Sequence, residues 1–249
     1  MNNKTTLSLL GGALLSGSAY AGPVVAPEPV TVEPGYEASV SVGVHSDYIW
    51  RGLFLGRALV DSSVEASTSA WGLDFAGGLW AGNVEEESFD DEINAWIEGS
   101  KDFGWARFTT GYIYYDFFDG ETNNAHEVYF GLSKDLCWGF NASYTYFWDV
   151  YATDNDGYNE LVLGNDTDVF GYTLDTTLTT GFLFEGFGAS HITLKTGYDW
   201  ELTDHATLTP YLAYTWELAG LERYAAPMNG SGRSEQNRFF GGVSLSVSF

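Results

Sequence analysis

The chain reads as an all-β protein, an antiparallel transmembrane up-and-down β-barrel of twelve strands, with ten as the alternative count. Three observations lead there. Apolar and polar residues alternate with period two through most of residues 36–249, so extended strands would carry their apolar side chains on one face. The connections between alternating segments are by turns short and long, as the two ends of a membrane barrel require. No run reaches the roughly eighteen apolar residues of a spanning helix, and helical periodicity is absent beyond the N-terminal apolar segment.

Composition narrows the class. The 249 residues suit one barrel domain, and the net charge is −24, from thirty-four Asp plus Glu against ten Lys plus Arg. So acidic a chain has no basic stripe for nucleic acid and no polybasic patch for anionic lipid. Disordered acidic chains are poor in aromatics, whereas this one holds nine Trp, sixteen Tyr and seventeen Phe. Rings belong at the two membrane interfaces, and Tyr112, Tyr114, Tyr115, Tyr144, Tyr146 and Trp148 are the expected girdle residues. The single cysteine, Cys137, excludes an internal disulfide.

Lys4, the apolar stretch 7–15 and Ala19-Tyr20-Ala21 form a secretory signal over residues 1–21. Residues 22–35 hold Pro23, Pro27, Pro29 and Pro34 and read as an extended periplasmic leader. The barrel is expected over residues 36–249.

Along the barrel, Val40, Val42 and Val44 alternate with Ser39, Ser41 and Gly43. Val60, Val64 and Ala66 oppose Asp61, Ser63 and Glu65, and Trp71-Gly72 turns the chain toward Leu73, Phe75 and Leu79. Ile93, Ala95 and Ile97 oppose Glu92, Asn94 and Glu98, and a turn at residues 101–104 follows. Phe108, Tyr112 and Tyr114 oppose Arg107, Thr109 and Gly111, while Val128, Phe130 and Leu132 oppose Glu127, Tyr129 and Ser133. Beyond a turn at 134–136, Phe140, Ala142, Tyr144 and Tyr146 oppose Asn141, Ser143 and Thr145. An even strand count needs a short strand at 158–164 with a turn at 165–168. Phe170, Tyr172, Leu174 and Leu178 then face away from Thr173, Asp175 and Thr177, and two more strands fall at 191–202 and 207–216. Connections 83–91, 118–124, 150–157 and 219–236 are long and polar and belong outside.

The last strand alternates most strictly. Phe239, Gly241, Val243, Leu245, Val247 and Phe249 oppose Gly242, Ser244, Ser246 and Ser248. An alternating strand that stops on Phe249 resembles the C-terminal signal of bacterial outer-membrane β-barrels, which implies the barrel-assembly machinery as a partner and the Gram-negative outer membrane as the location.

One segment carries family specificity. Ser46-Asp47-Tyr48-Ile49-Trp50-Arg51-Gly52 resembles the S-x-Y-x-x-R-G signature of the Gcw-chp family, bacterial exported proteins of unknown function. The resemblance continues through residues 77–83, the strand around Trp96, residues 111–115 and residues 126–129, and thins out after Tyr151. It implies an outer-membrane barrel and supplies no activity and no catalytic residue. If the first strand keeps its register, His45, Asp47, Ile49 and Arg51 share the lumen face, and Arg51 is expected to pair with Asp61 or Glu65, because a lone buried charge is costly.

Alternation places Asp61, Glu65, Glu92, Glu98, Arg107, Glu127 and Asp175 in the lumen. An acidic lumen suits a small cation-preferring channel for small polar solutes. Bulky inward residues such as Trp96, Tyr129 and Phe147 suit instead a plugged structural or surface-interaction barrel. No cofactor is implied, and the scattered His45, His126, His191 and His205 lack metal-ligand spacing. A membrane acyl hydrolase would gather Ser, His and an acid, and no local motif does so. The acidic run at 85–92 and Asp154-Asn155-Asp156-Gly157 with Glu160 are solvated loops, or else divalent-cation bridges to lipopolysaccharide.

Overall fold

A computed structural model describes residues 35–85, 91–118, 124–150, 157–169, 172–183, 188–218 and 237–249. The expected signal and nearly all of the leader lie outside these residues. The strands are β1 (Tyr36–Trp50), β2 (Leu53–Ala70), β3 (Leu73–Asn83), β4 (Asp91–Asp102), β5 (Arg107–Phe118) and β6 (Ala125–Asp135). They continue as β7 (Phe140–Asp149), β8 (Tyr158–Val169), β9 (Tyr172–Leu183), β10 (Gly188–Tyr198), β11 (Trp200–Thr203), β12 (Ala206–Glu217) and β13 (Arg238–Ser248). Each pairs antiparallel with its chain neighbour, and β13 returns to β1, so the sheet closes. Both β10 and β11 pair with β12 and are separated only at Asp199. They form one broken strand, and the barrel has twelve.

The alternation of the sequence becomes an outside and an inside. Val42, Val44, Leu79, Ile97, Leu161 and Leu212 point outward and stay exposed, Ile97 by 62%. An apolar surface running round a whole barrel is far larger than a water-soluble monomer leaves bare. Lipid covers it, and the closed ladder is what permits strands there, since every backbone donor must be paired within the protein. At the closing seam Val40 stands opposite Val247 and Val42 opposite Leu245, all outward, while Ser39, Ser41, Ser244, Ser246 and Ser248 face in. The Phe249 N–H donates to the Ala38 carbonyl at 2.9 Å and completes the ladder.

One end of the barrel carries the tight turns at Trp71-Gly72, 103–106, 136–139 and Asp204-His205, together with residue 36 and Phe249. The opposite end carries the longer connections and one two-residue turn, Arg51-Gly52, between β1 and β2. These are called the turn end and the loop end below.

Four expectations are corrected. The segment placed as a strand over 158–164 with a turn at 165–168 is a full strand, Tyr158–Val169, in which Asn165 pairs with Thr176 and Asp166 with Asp175. Its polar residues suggested a turn, but they face a hydroxyl- and carboxylate-lined interior and need no turn. Tyr115 is not a girdle residue: it points inward, buried, and donates to Glu127. Its neighbours Tyr112 and Tyr114 hold the outward positions that alternation requires. The strand read over 191–202 begins at Gly188 and breaks at Asp199. The first strand does not keep its register, because the β1–β2 pairing slips between Tyr48 and Ile49.

Inward rings lie over glycines on the neighbouring strand. Gly111 faces Tyr129, and a Cβ on Gly111 would stand 2.3 Å from the Tyr129 hydroxyl. The ring has no room to withdraw, being 1% exposed. Gly111→Val is therefore expected to overpack the lumen and cost about 1–3 kcal/mol. The check is the temperature at which the folded, heat-modifiable band is lost on gels.

Candidate functional site

The site is the lumen, and the element that shapes it is the β1–β2 hairpin. Paired to β13 only as far as His45–Gly242, β1 then parts from the wall. Two irregularities turn it inward: the register slip after Tyr48 and a left-handed φ of 54° at Ala58 on β2. The tip is a two-residue turn in which Arg51 (φ 50°) and Gly52 (φ 83°) both occupy the left-handed region, the conformation of tight hairpins with inverted turns.

The tip crosses the lumen to the far wall. Arg51 donates two parallel hydrogen bonds to Glu127 of β6, Nη1 to Oε1 at 2.7 Å and Nη2 to Oε2 at 2.6 Å. Its guanidinium carbon lies 4.4–4.5 Å from the ring centres of Trp50, Phe147 and Tyr158. Trp50 meets Tyr115 edge-on at 6.4 Å. Gly52 presses on β10, where a Cβ would stand 2.5 Å from the Cβ of His191. Contacts to β5, β6, β7, β8 and β10 from a β1–β2 turn are possible only across the interior.

The whole Ser46–Gly52 segment is tied down. Ser46 Oγ accepts from the Gly241 N–H at 3.2 Å and donates to Asp47 at 2.7 Å, and Asp47 accepts from Arg238 at 3.1 Å. Tyr48 donates to Glu92 at 3.0 Å. Ile49 packs on Ala213 and Phe240, and Arg238 lies over Phe54 of the same hairpin at 3.5 Å. The hairpin thus lies inside the wall formed by β12 and β13, and the expected pairing of Arg51 with Asp61 or Glu65 does not occur. Those two carboxylates sit on the hairpin's own strand, which the tip has left behind. Asp61 accepts instead from Trp80 at 3.0 Å and meets His45 at 3.3 Å, and Glu65 accepts from Ser63 at 3.5 Å.

Around the tip, Tyr48, Leu59, Trp80, Trp96, Ile113, Tyr129, Phe147 and Tyr158 form one apolar cluster in the loop-end half of the interior. Beneath it the inward residues are small and hydroxylated, among them Ser39, Ser41, Ser63, Ser133, Ser143, Ser244 and Ser246, and they keep partial access to solvent.

All seven residues expected in the lumen point inward. Glu92 also accepts from Asn94 at 2.6 Å, Glu98 accepts from Tyr129 at 2.6 Å, and Arg107 bridges Asp74 and Ser100 at 2.7 and 2.8 Å. Asp175 faces Gly197 on β10, beside Lys195. Sequence reasoning missed Lys195, Glu160 and Asp166. Lys195 alternates with Ile192 and Leu194 and was legible by the same rule; Asp166 was hidden by its assignment to a turn. Glu160, grouped with the acidic loop, faces the lumen and accepts from Tyr158 at 3.3 Å. The loop residues 86–90 and 151–156, with the calcium and lipopolysaccharide expectations that fall on them, lie outside the described residues.

Fold and lumen together define an outer-membrane β-barrel of porin-like architecture. No family model matches the chain, and no curated protein matches it. Among solved structures it is similar to the KdgM porin, with TM-score 0.48 and 11% identity over 85% of this chain and 99% of that one. An outer membrane channel from Pseudomonas putida F1 gives TM-score 0.48 and 9% identity over 90% and 100%. Outer membrane phospholipase A from Escherichia coli gives 0.49 and 11% over 96% and 98%. The likeness is one of architecture and carries neither solute nor chemistry over to this chain.

Arg51 and Glu127 are largely shielded, with 13% and 8% of their side chains exposed, so removing one partner leaves the other charge without compensation. Arg51→Ala is expected to cost about 3–5 kcal/mol. Arg51→Lys should recover only part of this, because an ammonium lacks the planar fork and the ring stacking. Midpoints of urea unfolding in micelles for the three proteins provide the measurement.

Proposed function

We propose that the protein is an outer-membrane channel for small polar solutes, preferring cations, with its bore narrowed by the β1–β2 hairpin. The observation that carries this reading is the charge balance of the lumen. Arg51, Arg107 and Arg238 are each engaged by a carboxylate, Glu127, Asp74 and Asp47 respectively. Asp61, Glu65, Glu92, Glu98, Glu160, Asp166 and Asp175 remain, and among the described residues they face one further lumen cation, Lys195. Carboxylates on low-dielectric walls focus a negative potential along the bore.

On this reading the turn end is periplasmic and the loop end extracellular. The hydroxylated half is then a periplasmic vestibule, and the aromatic half with its hairpin is the constriction. Membership of the Gcw-chp family belongs to the same proposal and rests on the Ser46–Gly52 segment, whose Ser, Tyr, Arg and Gly each hold the hairpin in the lumen.

The aromatic cluster favours a second reading, a plugged structural barrel whose loops meet partners. Enzymatic activity has no comparable support. His45 is held by Tyr211 and Asp61, and His191 by Tyr158 and Thr193, with no serine among these partners.

Two measurements test the proposal. In planar bilayers under a KCl gradient, the reversal potential should indicate cation preference, stronger at low salt where screening is weak, and Asp61→Asn with Glu65→Gln should reduce it. Anion preference overturns the lumen assignment, and absence of conductance favours the plugged barrel. Phe249, outward and exposed at the seam, is proposed to be read by the barrel-assembly machinery. Its deletion should lower the yield of heat-modifiable barrel in cells, and unchanged yield at normal expression would remove that role.

A further inference from the structure

The seam that closes the barrel is held by backbone pairing along only part of its height. The β1–β13 ladder ends at His45–Gly242, whereas β13 extends to Arg238 beside a first strand that has turned into the lumen. On the outer face that turn leaves a notch. It is a cavity of about 750 Å³ that starts at Ser46 and Asp47 and reaches across β13, β12 and β10 to Leu174 on β9. Register places Gly241 opposite Leu212, Leu212 opposite Thr196 and Thr196 opposite Thr176, so the notch runs transverse to the strands. Four strand spacings make it about 19 Å long.

Its two ends differ in chemistry. Away from the seam the walls are apolar, formed by outward Phe239 and Leu212 with Pro210 and Tyr198, and the floor is low where Gly241 carries no side chain. At the seam the Ser46 hydroxyl accepts from the Gly241 N–H at 3.2 Å and donates to Asp47 at 2.7 Å, and Asp47 accepts from Arg238 at 3.1 Å. The ion pair cancels its own charge, so this end is polar and neutral. A hydroxyl oxygen has two lone pairs; the Gly241 amide uses one and leaves the other to a further donor. Toward the turn end Val44 and Val243 stand paired in the belt, and toward the loop end Tyr214 and Trp216 of β12 point outward. The notch therefore opens into the apolar layer of the membrane, where a polar group without a partner is costly.

We propose that the notch binds a single-chain amphiphile with an uncharged hydroxyl head, of the long-chain alcohol class, taken up from the membrane. The head donates to Ser46 Oγ, and the chain lies across Gly241 and Thr196, flanked by Leu212 and Phe239. The volume falls within that of small-molecule sites, and a narrow transverse groove suits one chain. An anionic head would approach the Asp47 carboxylate with Arg238 already engaged, and a pure hydrocarbon would leave the serine oxygen unmatched. A membrane phospholipid, with two chains and a charged phosphate, fits neither end. The inference rests on the barrel spanning a membrane and is independent of whether it conducts.

The test uses the full barrel in phosphatidylcholine nanodiscs, irradiated with hexadecanol that carries a diazirine beside its hydroxyl, followed by peptide mapping. Adducts on Ser46 and Phe239 should exceed those on Val64 and Leu161, which face lipid elsewhere on the belt, by on the order of tenfold. Excess unlabelled hexadecanol should remove the seam adducts, and hexadecanoate should leave them. Thr196→Phe, which fills the floor from an outward position, should abolish the enrichment while belt labelling and the heat-modifiable band persist. Even labelling round the belt shows lipid-like partition only and overturns the proposal. Enrichment that survives Thr196→Phe, or that hexadecanoate removes equally well, overturns it too.

Discussion

Every feature of this barrel depends on one constraint: a sheet immersed in lipid must pair its last strand with its first. Water is absent to satisfy an edge, and each orphaned backbone group there costs several kcal/mol. The β1–β13 ladder meets the demand from Ser39–Ser248 to His45–Gly242, and it also sets side-chain parity. Once valines of β1 stand opposite valine and leucine of β13, serines must stand opposite serines on the inside. Small residues let inward groups lie flat along this seam. A Cβ on Gly43 would stand 2.3 Å from Asp61 Oδ1, and one on Gly242 would stand 2.4 Å from His45 Nδ1. The glycines flanking His45 are what allow its imidazole to bridge Asp61 and Tyr211.

Above His45 the first strand gives up backbone pairing with β13 and folds into the lumen. Side chains take over the ties: Ser46 to the Gly241 amide, Asp47 to Arg238. The left-handed Ala58, the register slip and the Arg51 turn all act against the fold locally. Their compensation is concentrated in one guanidinium, which satisfies a buried carboxylate with two bonds while stacking on aromatic faces. Only arginine combines a planar fork with a weakly hydrated cation suited to ring faces. Gly52 is needed beside it for two reasons, its φ of 83° and the closeness of His191.

Period two made most of the wall legible in the sequence. Wherever the ladder is regular, as from Val60 to Ala70 or Ile93 to Gly99, alternation alone assigns in and out correctly. It fails where the ladder is irregular. The hairpin leaves the wall above His45, within the very motif that carries family specificity, so Tyr48 lies in the lumen against Glu92 and Arg51 leaves the reach of Asp61. A pairing across the barrel, such as Arg51 with Glu127, joins residues far apart in sequence. It depends on curvature and tilt, which one-dimensional periodicity does not encode. The strand break at Asp199 and the length of β8 were obscured because polar residues facing a polar lumen resemble polar residues in turns.

The packing of the hairpin also decides how a solute can pass. Withdrawing the tip from the lumen would expose Tyr48, Ile49, Trp50 and their partners, each side chain at about 1.5–3 kcal/mol, and would leave the Glu127 carboxylate without its partner, which costs about 3–5 kcal/mol for a charge that stays buried. The sum is on the order of 10 kcal/mol, well beyond the few kcal/mol that separate conformers exchanging in a working protein. The hairpin is therefore a fixed part of the lumen and not a swinging element. Below the tip, the hydroxylated half of the lumen presents serine and threonine hydroxyls interrupted by Asp61, Asp175 and Lys195. A bore of that composition offers hydrogen bonds to a passing polar solute at every step, and it meets a charged one with a potential set by the carboxylates that the three arginines leave uncompensated.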